Sequence, residues 1–115
     1  MNIIIDDDLD SRATPYGFKR FTNGFDLLQF MTVHPLTHIE HITFDNDLGT
    51  GLPEGYDIVK EMVGNNWHVE HINVHSANVV AVENMMSYIS SAKKAGVFDY
   101  ESLTQIPLSY YSQNF

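Results

Sequence analysis

The chain has 115 residues, of which 43% are hydrophobic and 12% aromatic. These values exclude an intrinsically disordered chain and fit one globular domain with its own core. Fifteen acidic residues against six basic ones give a formal charge of −9, which argues against nonspecific nucleic-acid binding. The chain has no cysteine, so disulfides, thiolate nucleophiles and cysteine-type zinc sites are excluded.

Membrane insertion and secretion are also not indicated. No apolar run approaches the roughly 18 residues of a membrane span. The N-terminus, Met-Asn-Ile-Ile-Ile-Asp, lacks the basic region and the apolar stretch of a secretory signal. Together with the lack of cysteine, this leads us to expect a cytoplasmic, intracellular protein without membrane contact.

The first part of the chain predicts two strands and a helix. Residues 2–5 form a continuous apolar run, typical of a strand buried on both faces. Residues 17–21 alternate in polarity and predict a weaker strand at a sheet edge. Thr22 is the predicted N-cap of a helix that continues to about residue 33. Its predicted apolar face carries Phe25, Leu28 and Met31 or Thr32.

The middle of the chain alternates strands with helices. A loop rich in Gly and Pro lies between the predicted strand over 38–44 and the predicted helix over 56–64. Gly64-Asn65-Asn66 ends that helix. Strands that alternate with helices predict a mostly parallel sheet. The predicted elements are a strand over 38–44, a helix over 56–64, a strand over 69–74 and a helix over 79–94 that aligns Val79, Val82, Met86 and Ile89.

Gly96 closes the last predicted helix, and we place the domain boundary there. Residues 1–96 form the predicted domain, and 97–115 form an aromatic extension without a predicted fifth strand. Its aromatic content predicts a short helix and an extended arm, packed on the domain or on a second copy in a homodimer. The aromatic residues concerned are Phe98, Tyr100, Tyr110, Tyr111 and Phe115.

Polar residues follow three of the predicted strands. Asp6-Asp7-Asp8 follows the first strand, Asp45-Asn46-Asp47 follows the third, and His75-Ser76 follows the fourth. The carboxyl ends of adjacent parallel strands form the ligand crevice of an open sheet. We therefore expect these three segments to build one site.

Carboxylate oxygens are the ligands that hard divalent cations prefer, so Asp6, Asp7 and Asp45 are the candidate ligands of Mg²⁺ or Mn²⁺. Consecutive Asp residues after a strand are equally typical of a solvated turn. Asp47 is a candidate general base or outer-shell ligand, and it is equally suited to capping the loop that follows it.

Phosphate binding is the second predicted property. Gly49 begins a Gly-Thr-Gly segment whose backbone N–H groups suit a phosphate, although no P-loop lysine follows. Ser76, Asn78 and Asn84 are the candidate side-chain contacts, and Ser76 with Asn78 is also typical of plain helix capping. His75 is the candidate proton donor or acceptor.

Asp6-Asp7, Asp45 and Ser76 as a set resemble the receiver domain of two-component signalling. Four segments sharpen the resemblance: Phe-Asp-Asn-Asp-Leu-Gly, Gly-Tyr-Asp, Val-His-Ser-Ala-Asn and Glu-Asn-Met. In this order, over about residues 2–90, they resemble the cyclic-phosphate processing receiver domains. That resemblance implies small proteins, some carried by phages, that act on cyclic phosphates or nucleotides. The departure from signalling receivers is the missing lysine after a fifth strand.

Because no fifth strand is predicted, we expect a reduced three-layer, flavodoxin-like α/β sandwich with sheet order 2-1-3-4. The resemblance implies this flavodoxin-like fold, which in receiver domains has the sheet order 2-1-3-4-5. It also implies a metal-dependent site that binds or processes a cyclic phosphate or nucleotide, as a possible phosphoesterase. Two alternatives stay open. One is a non-catalytic inhibitor or binding module directed at a host or partner protein. The other is a phospho-accepting receiver with Asp45 as the acceptor.

Overall fold

The computed structural model describes residues 1–6, 16–45, 55–75 and 79–105. Within them, one parallel sheet has the order β2-β1-β3-β4-β5 and carries three helices, which is the flavodoxin-like arrangement of receiver domains. The elements are β1 (Asn2–Ile5), β2 (Phe18–Phe21), α1 (Gly24–Val33), β3 (His38–Asp45), α2 (Gly55–Gly64), β4 (His68–His75), α3 (Val79–Lys94) and β5 (Ser102–Gln105).

The first strand lies inside the sheet, as its apolar run predicts. β1 pairs with β2 on one side and with β3 on the other. Ile3 and Ile5 are fully buried and Ile4 is 3% exposed, so both faces of the strand are covered. β2 lies at the sheet edge, which confirms the prediction from its alternating pattern.

A fifth strand was missed by the sequence prediction. β5 runs parallel to β4, and Leu103 pairs with Ile72. Phe98, which precedes β5, is 3% exposed and packs in the core, so it anchors this segment beside the sheet. The Lys93 ammonium donates a hydrogen bond to the carbonyl of Tyr100, which ties the end of α3 to the segment before β5. Four strands were therefore one too few, and residues 97–105 do not form a helix.

The three helices cover one face of the sheet. Each connects strands in the same direction across it, so right-handed crossovers place α1, α2 and α3 on the same side. α2 contacts both other helices, in agreement with that placement. The third layer of the predicted sandwich is not part of the described residues. The helix-covered core includes Ile3, Ile5, Phe21, Ile42, Phe44, Ile72 and Val74 from alternate strand positions.

Two helices present different faces from those predicted. Asn23, rather than Thr22, caps α1, because its side-chain oxygen accepts a hydrogen bond from the N–H of Asp26. Leu27 and Met31 are buried, whereas Phe25 is 56% exposed. In α3 the first predicted core residue, Val79, is 64% exposed. The buried face of α3 consists of Val82, Met85, Ile89 and Ala92.

The end of α2 returns the chain to the core. α2 stops at Gly64 as predicted, and Asn66 adopts a left-handed conformation with φ of 50°. Asn is one of the few non-glycine residues that tolerate this conformation at a helix end. The N–H of Trp67 then donates to the carbonyl of Met62, and the Trp67 side chain is 5% exposed, directly before β4.

The face opposite the helices carries a row of residues that is mostly polar. Arg20, Ile4, Thr43 and Asn73 are neighbours in register across β2, β1, β3 and β4. Ile4 and Thr43, in the middle of this row, are 3% and 5% exposed, whereas Arg20 and Asn73 at its ends are partly exposed. Ile4, Thr43 and Asn73 lie two residues before Asp6, Asp45 and His75, which stand at the ends of their strands.

Among the helices of the described residues, none combines the length and the apolar character of a membrane span.

Histidines and carboxylates join the first halves of β3, β4 and β5. His38 Nε2 lies 2.9 Å from a carboxylate oxygen of Glu70, and the rings of His41 and His71 stack with centroids 4.8 Å apart. His71 Nδ1 lies 2.8 Å from Ser102 Oγ. These contacts cross from strand to strand and therefore help to hold the sheet together.

Glu70→Gln is expected to destabilise the protein slightly at neutral pH and to have less effect in acid. The hydrogen bond from His38 lowers the pKa of Glu70 below its usual 4.5, and the neighbouring histidine charges act in the same direction. A lowered folded-state pKa gives stability that is present above 4.5 and is lost as the pH falls through the folded value. Urea unfolding between pH 3 and pH 7 measures this difference.

The control is Glu40→Gln, which removes the same charge from an exposed position on the adjacent strand β3. A difference between wild type and Glu70→Gln that does not shrink toward pH 3 would contradict the role given to the His38–Glu70 pair.

Candidate functional site

Three predicted site residues lie at neighbouring strand ends. Ile5 of β1 pairs with Phe44 of β3, so the next residues of the two strands, Asp6 and Asp45, occupy neighbouring positions. Asp45 in turn pairs with His75. Adjacent strands are about 4.8 Å apart. We call this end of the sheet, marked by Asp6, Asp45 and His75, the carboxyl edge, and the opposite end the amino edge.

Asp6 is a buried acidic residue at the carboxyl edge. It is 3% exposed, and its backbone N–H donates to the carbonyl of Phe21 at 3.0 Å. This bond continues the β1–β2 pairing one residue beyond β1 and fixes the position of the Asp6 backbone. His75 at the end of β4 is also buried, at 4% exposure.

Arg20 is a residue that the sequence interpretation missed. Its Nη2 lies 3.9 Å from Oδ1 of Asp6, and the two side chains are 12% and 4% exposed. In the sequence, Arg20 is one polar residue of an edge strand with no motif around it. The signal is its register: Arg20 pairs with Ile4, two residues before Asp6, and alternate residues share a sheet face.

The other predicted site residues are placed less completely. Asn84 is an exposed residue in the second turn of α3, about 7 Å along the helix from its first residue. The side chain of Asp45 and all of Asp7, Asp47, Gly49, Ser76 and Asn78 lie outside the described residues. Their predicted roles as metal ligand, base or phosphate contacts therefore stay predictions.

The donors at the carboxyl edge suit a hard cation. The described residues contain no group of three His, Asp or Glu side chains arranged to hold a metal ion. Of the three predicted ligands, only the side chain of Asp6 belongs to the described residues. A buried carboxylate, followed in sequence by Asp7 and placed next to the strand end of Asp45, fits Mg²⁺ or Mn²⁺ better than softer metals.

The remaining described histidines lie away from the carboxyl edge. His38, His41 and His71 belong to the sheet contacts nearer the amino edge. His34 follows α1, and its ring lies 4.9 Å from that of Phe30. His68 is exposed at the start of β4. Among the histidines, only His75 is buried and pairs in register with Asp45.

Comparison with known families matches residues 1–91 to the Cyclic-phosphate processing Receiver domain. The chain belongs to this family. The match confirms the resemblance found in the residue pattern, and it associates the domain with cyclic-phosphate processing. No curated protein and no solved structure matches the chain.

In this cyclic-phosphate processing receiver domain, the matched span includes β1, β2, β3 and β4 and ends within α3. Asp6, Arg20, Asp45 and His75 all fall inside it. β5 lies beyond the match and carries no Lys or Arg, so the fifth strand adds no cation to the carboxyl edge.

Proposed function

We propose that this domain binds a cyclic phosphate or cyclic nucleotide at the carboxyl edge and hydrolyses its phosphodiester with the help of Mg²⁺ or Mn²⁺. The observation that carries the proposal is the convergence of Asp6, Asp45 and His75 on three adjacent strands of a family member. Asp6, Asp7 and Asp45 would hold the cation. When bound, such a cation neutralises charge on a phosphate oxygen and lowers the pKa of water.

The helices also favour an anion at this edge. Each helix runs back across the sheet from a strand end, so the N-termini of α2 and α3 lie at the carboxyl edge. A helix N-terminus carries partial positive charge and free N–H groups, which suit a phosphate. Ser76 and Asn78, directly before α3, are the proposed side-chain contacts to the phosphate.

Exposed apolar residues on the rim suit the base of a nucleotide. Phe25 in the first turn of α1 is 56% exposed, and Val79 and Val80 at the start of α3 are each 64% exposed. An aromatic ring and two aliphatic side chains provide surfaces on which a planar base packs. Phe25 on α1 and Val79 with Val80 on α3 are therefore two separate candidate contacts for the base of a cyclic nucleotide.

His75 and Asp47 would manage the protons of the reaction. Hydrolysis adds water to phosphorus, breaks one P–O bond of the ring and leaves a phosphomonoester. Asp47 would accept a proton from the attacking water, and the imidazole of His75 would donate one to the departing ester oxygen. Burial of His75 at 4% exposure keeps bulk water from competing for that proton.

The test is calorimetric titration of Mg²⁺ and Mn²⁺, and then of a panel of 2′,3′- and 3′,5′-cyclic nucleotides, into wild type and Asp45→Asn. Phosphorus NMR of the same samples reports conversion to a phosphomonoester. We expect metal-dependent nucleotide binding and turnover in wild type, and loss of both in Asp45→Asn. Glu40→Gln, an exposed carboxylate on the same strand, is the control and should behave as wild type.

Full activity in Asp45→Asn would contradict the site assignment. Metal binding without any nucleotide binding, combined with labelling of Asp45 by acetyl phosphate, would instead identify a phospho-accepting receiver. Neither metal nor nucleotide binding in wild type would favour a non-catalytic module that acts on a partner protein.

A further inference from the structure

The carboxyl edge has an unfavourable charge for the ligand proposed above. Asp6 and Asp45 lie there, Asp7 and Asp47 follow them in sequence, and the whole chain has a formal charge of −9. A phosphodiester is an anion, so these carboxylates repel it. A fixed positive side chain at this edge would therefore strengthen binding beyond what a metal ion and the helix N-termini supply.

The described basic side chains differ in what they contact. Lys19 lies over the rings of Phe21 and Phe30, and Lys93 binds the segment before β5 near the amino edge. Lys60 lies over the ring of its helix neighbour Tyr56. Arg20 differs from these lysines because its ion pair is with an acidic residue of the carboxyl edge.

The Arg20 contact with Asp6 brings positive charge to this edge. Nη2 of Arg20 lies 3.9 Å from Oδ1 of Asp6, within the distance of an ion pair. The guanidinium is a planar fork of donors that matches two oxygens of a phosphate. At 12% exposure its charge is also poorly screened by water, so it acts strongly on nearby groups.

We propose that Arg20 is the phosphate-binding cation of the carboxyl edge, contacting a non-bridging phosphate oxygen of the ligand. The inference rests on the proposed function, and it adds a residue from β2 that the sequence motifs do not include. In the absence of ligand, the Arg20 charge is balanced by Asp6. In its presence, the guanidinium neutralises the phosphate charge that Asp6 and Asp45 oppose.

This role predicts effects of opposite sign on two ligands. Arg20→Gln should weaken the binding of inorganic phosphate and of 3′,5′-cyclic AMP by about tenfold or more, because a hydrogen bond to a charged group is lost. The same change should strengthen the binding of Mn²⁺, because it removes a positive charge next to a predicted carboxylate ligand. A merely structural Arg20 would weaken both.

The experiment measures Mn²⁺ affinity by calorimetry, and then phosphate and 3′,5′-cyclic AMP affinity at saturating Mg²⁺. Lys19→Gln is the matched control, because it removes the same charge from the adjacent residue of β2, on the other side of the strand. Arg20→Lys keeps the charge but loses the fork, so we expect intermediate phosphate affinity and Mn²⁺ affinity equal to wild type. Melting temperatures establish that each variant is folded.

Equal phosphate affinity in Arg20→Gln and Lys19→Gln would overturn the proposal, as would parallel loss of phosphate and Mn²⁺ affinity in a folded Arg20→Gln. If Arg20→Gln does not fold, Arg20→Lys decides, and phosphate affinity equal to wild type in that variant overturns the role of the fork. Wild-type protein that binds neither Mn²⁺ nor any cyclic nucleotide would contradict the proposed function itself, which is a different result.

Discussion

Saturating Mg²⁺ or Mn²⁺ is expected to raise the melting temperature of the wild-type domain by about 10 °C and to leave that of Asp45→Asn almost unchanged. A ligand present at a hundred times its dissociation constant stabilises the folded state by about 2.7 kcal/mol, which is about 10 °C for a domain near 100 residues. The proposed reason is that Asp6 and Asp45 follow the paired residues Ile5 and Phe44, so that a cation held by both carboxylates would relieve their mutual repulsion.

The measurement is a thermal melt followed by circular dichroism, with EDTA and with each metal at equal ionic strength. Ionic strength must be matched because a chain with charge −9 is stabilised by salt alone. Glu40→Gln is the control for the lost charge and should retain the full shift. A wild-type melting temperature that does not respond to either metal would contradict the metal site.

Phe44→Ala is expected to destabilise the domain by about 3–5 kcal/mol, the usual cost of emptying a buried aromatic site. Phe44 is fully buried in the core cluster, on a strand with neighbours on both sides. The loss is a large part of the roughly 5–15 kcal/mol that stabilises a typical domain. Much of the variant should therefore be unfolded at mild denaturant concentrations.

Urea unfolding measures this loss, with Leu36→Ala as the control. Leu36 is 83% exposed, and its truncation should change the free energy of unfolding by less than about 0.5 kcal/mol. A loss below about 1.5 kcal/mol in Phe44→Ala would mean that the helix-covered core does not pack tightly around β3. Phe44 and Asp45 are adjacent, so the two variants separate the residue that stabilises β3 from the one placed at the site.

The inner strands were predictable because each satisfies a simple pattern by itself. The run Ile3-Ile4-Ile5 indicates a strand covered on both faces, and the predicted range of α3 agrees with the observed one. β5 was missed because Ser102–Gln105 contains one apolar residue and is defined by its pairing with β4. The apolar face of α1 was predicted correctly at Met31 but wrongly at Phe25, and Leu27 was missed. Phe25 with Leu28 and Leu27 with Met31 both follow helical spacing, so only the packing of neighbouring elements decides which pair is buried.

The positions of some candidate site residues were predictable in the same way. Residues directly after buried strands, such as Asp6 and Asp45, are placed by the strand pattern together with the rule for parallel sheets. Arg20 is not, because no motif links it to Asp6. Its position depends on the pairing of Ile4 with Arg20, a relation between two strands that local sequence does not contain.

Trp67 gives this domain a fluorescence probe that lies far from the carboxyl edge. It is the one tryptophan of the chain, it is 5% exposed, and it precedes β4, whose other end is His75 at the carboxyl edge. Eight strand residues separate it from that edge by about 25 Å. Its emission therefore reports unfolding of the core without labelling, and it should be nearly insensitive to ligand titration. A quenching signal on adding a cyclic nucleotide would consequently indicate a change in the fold, rather than occupancy of the strand ends.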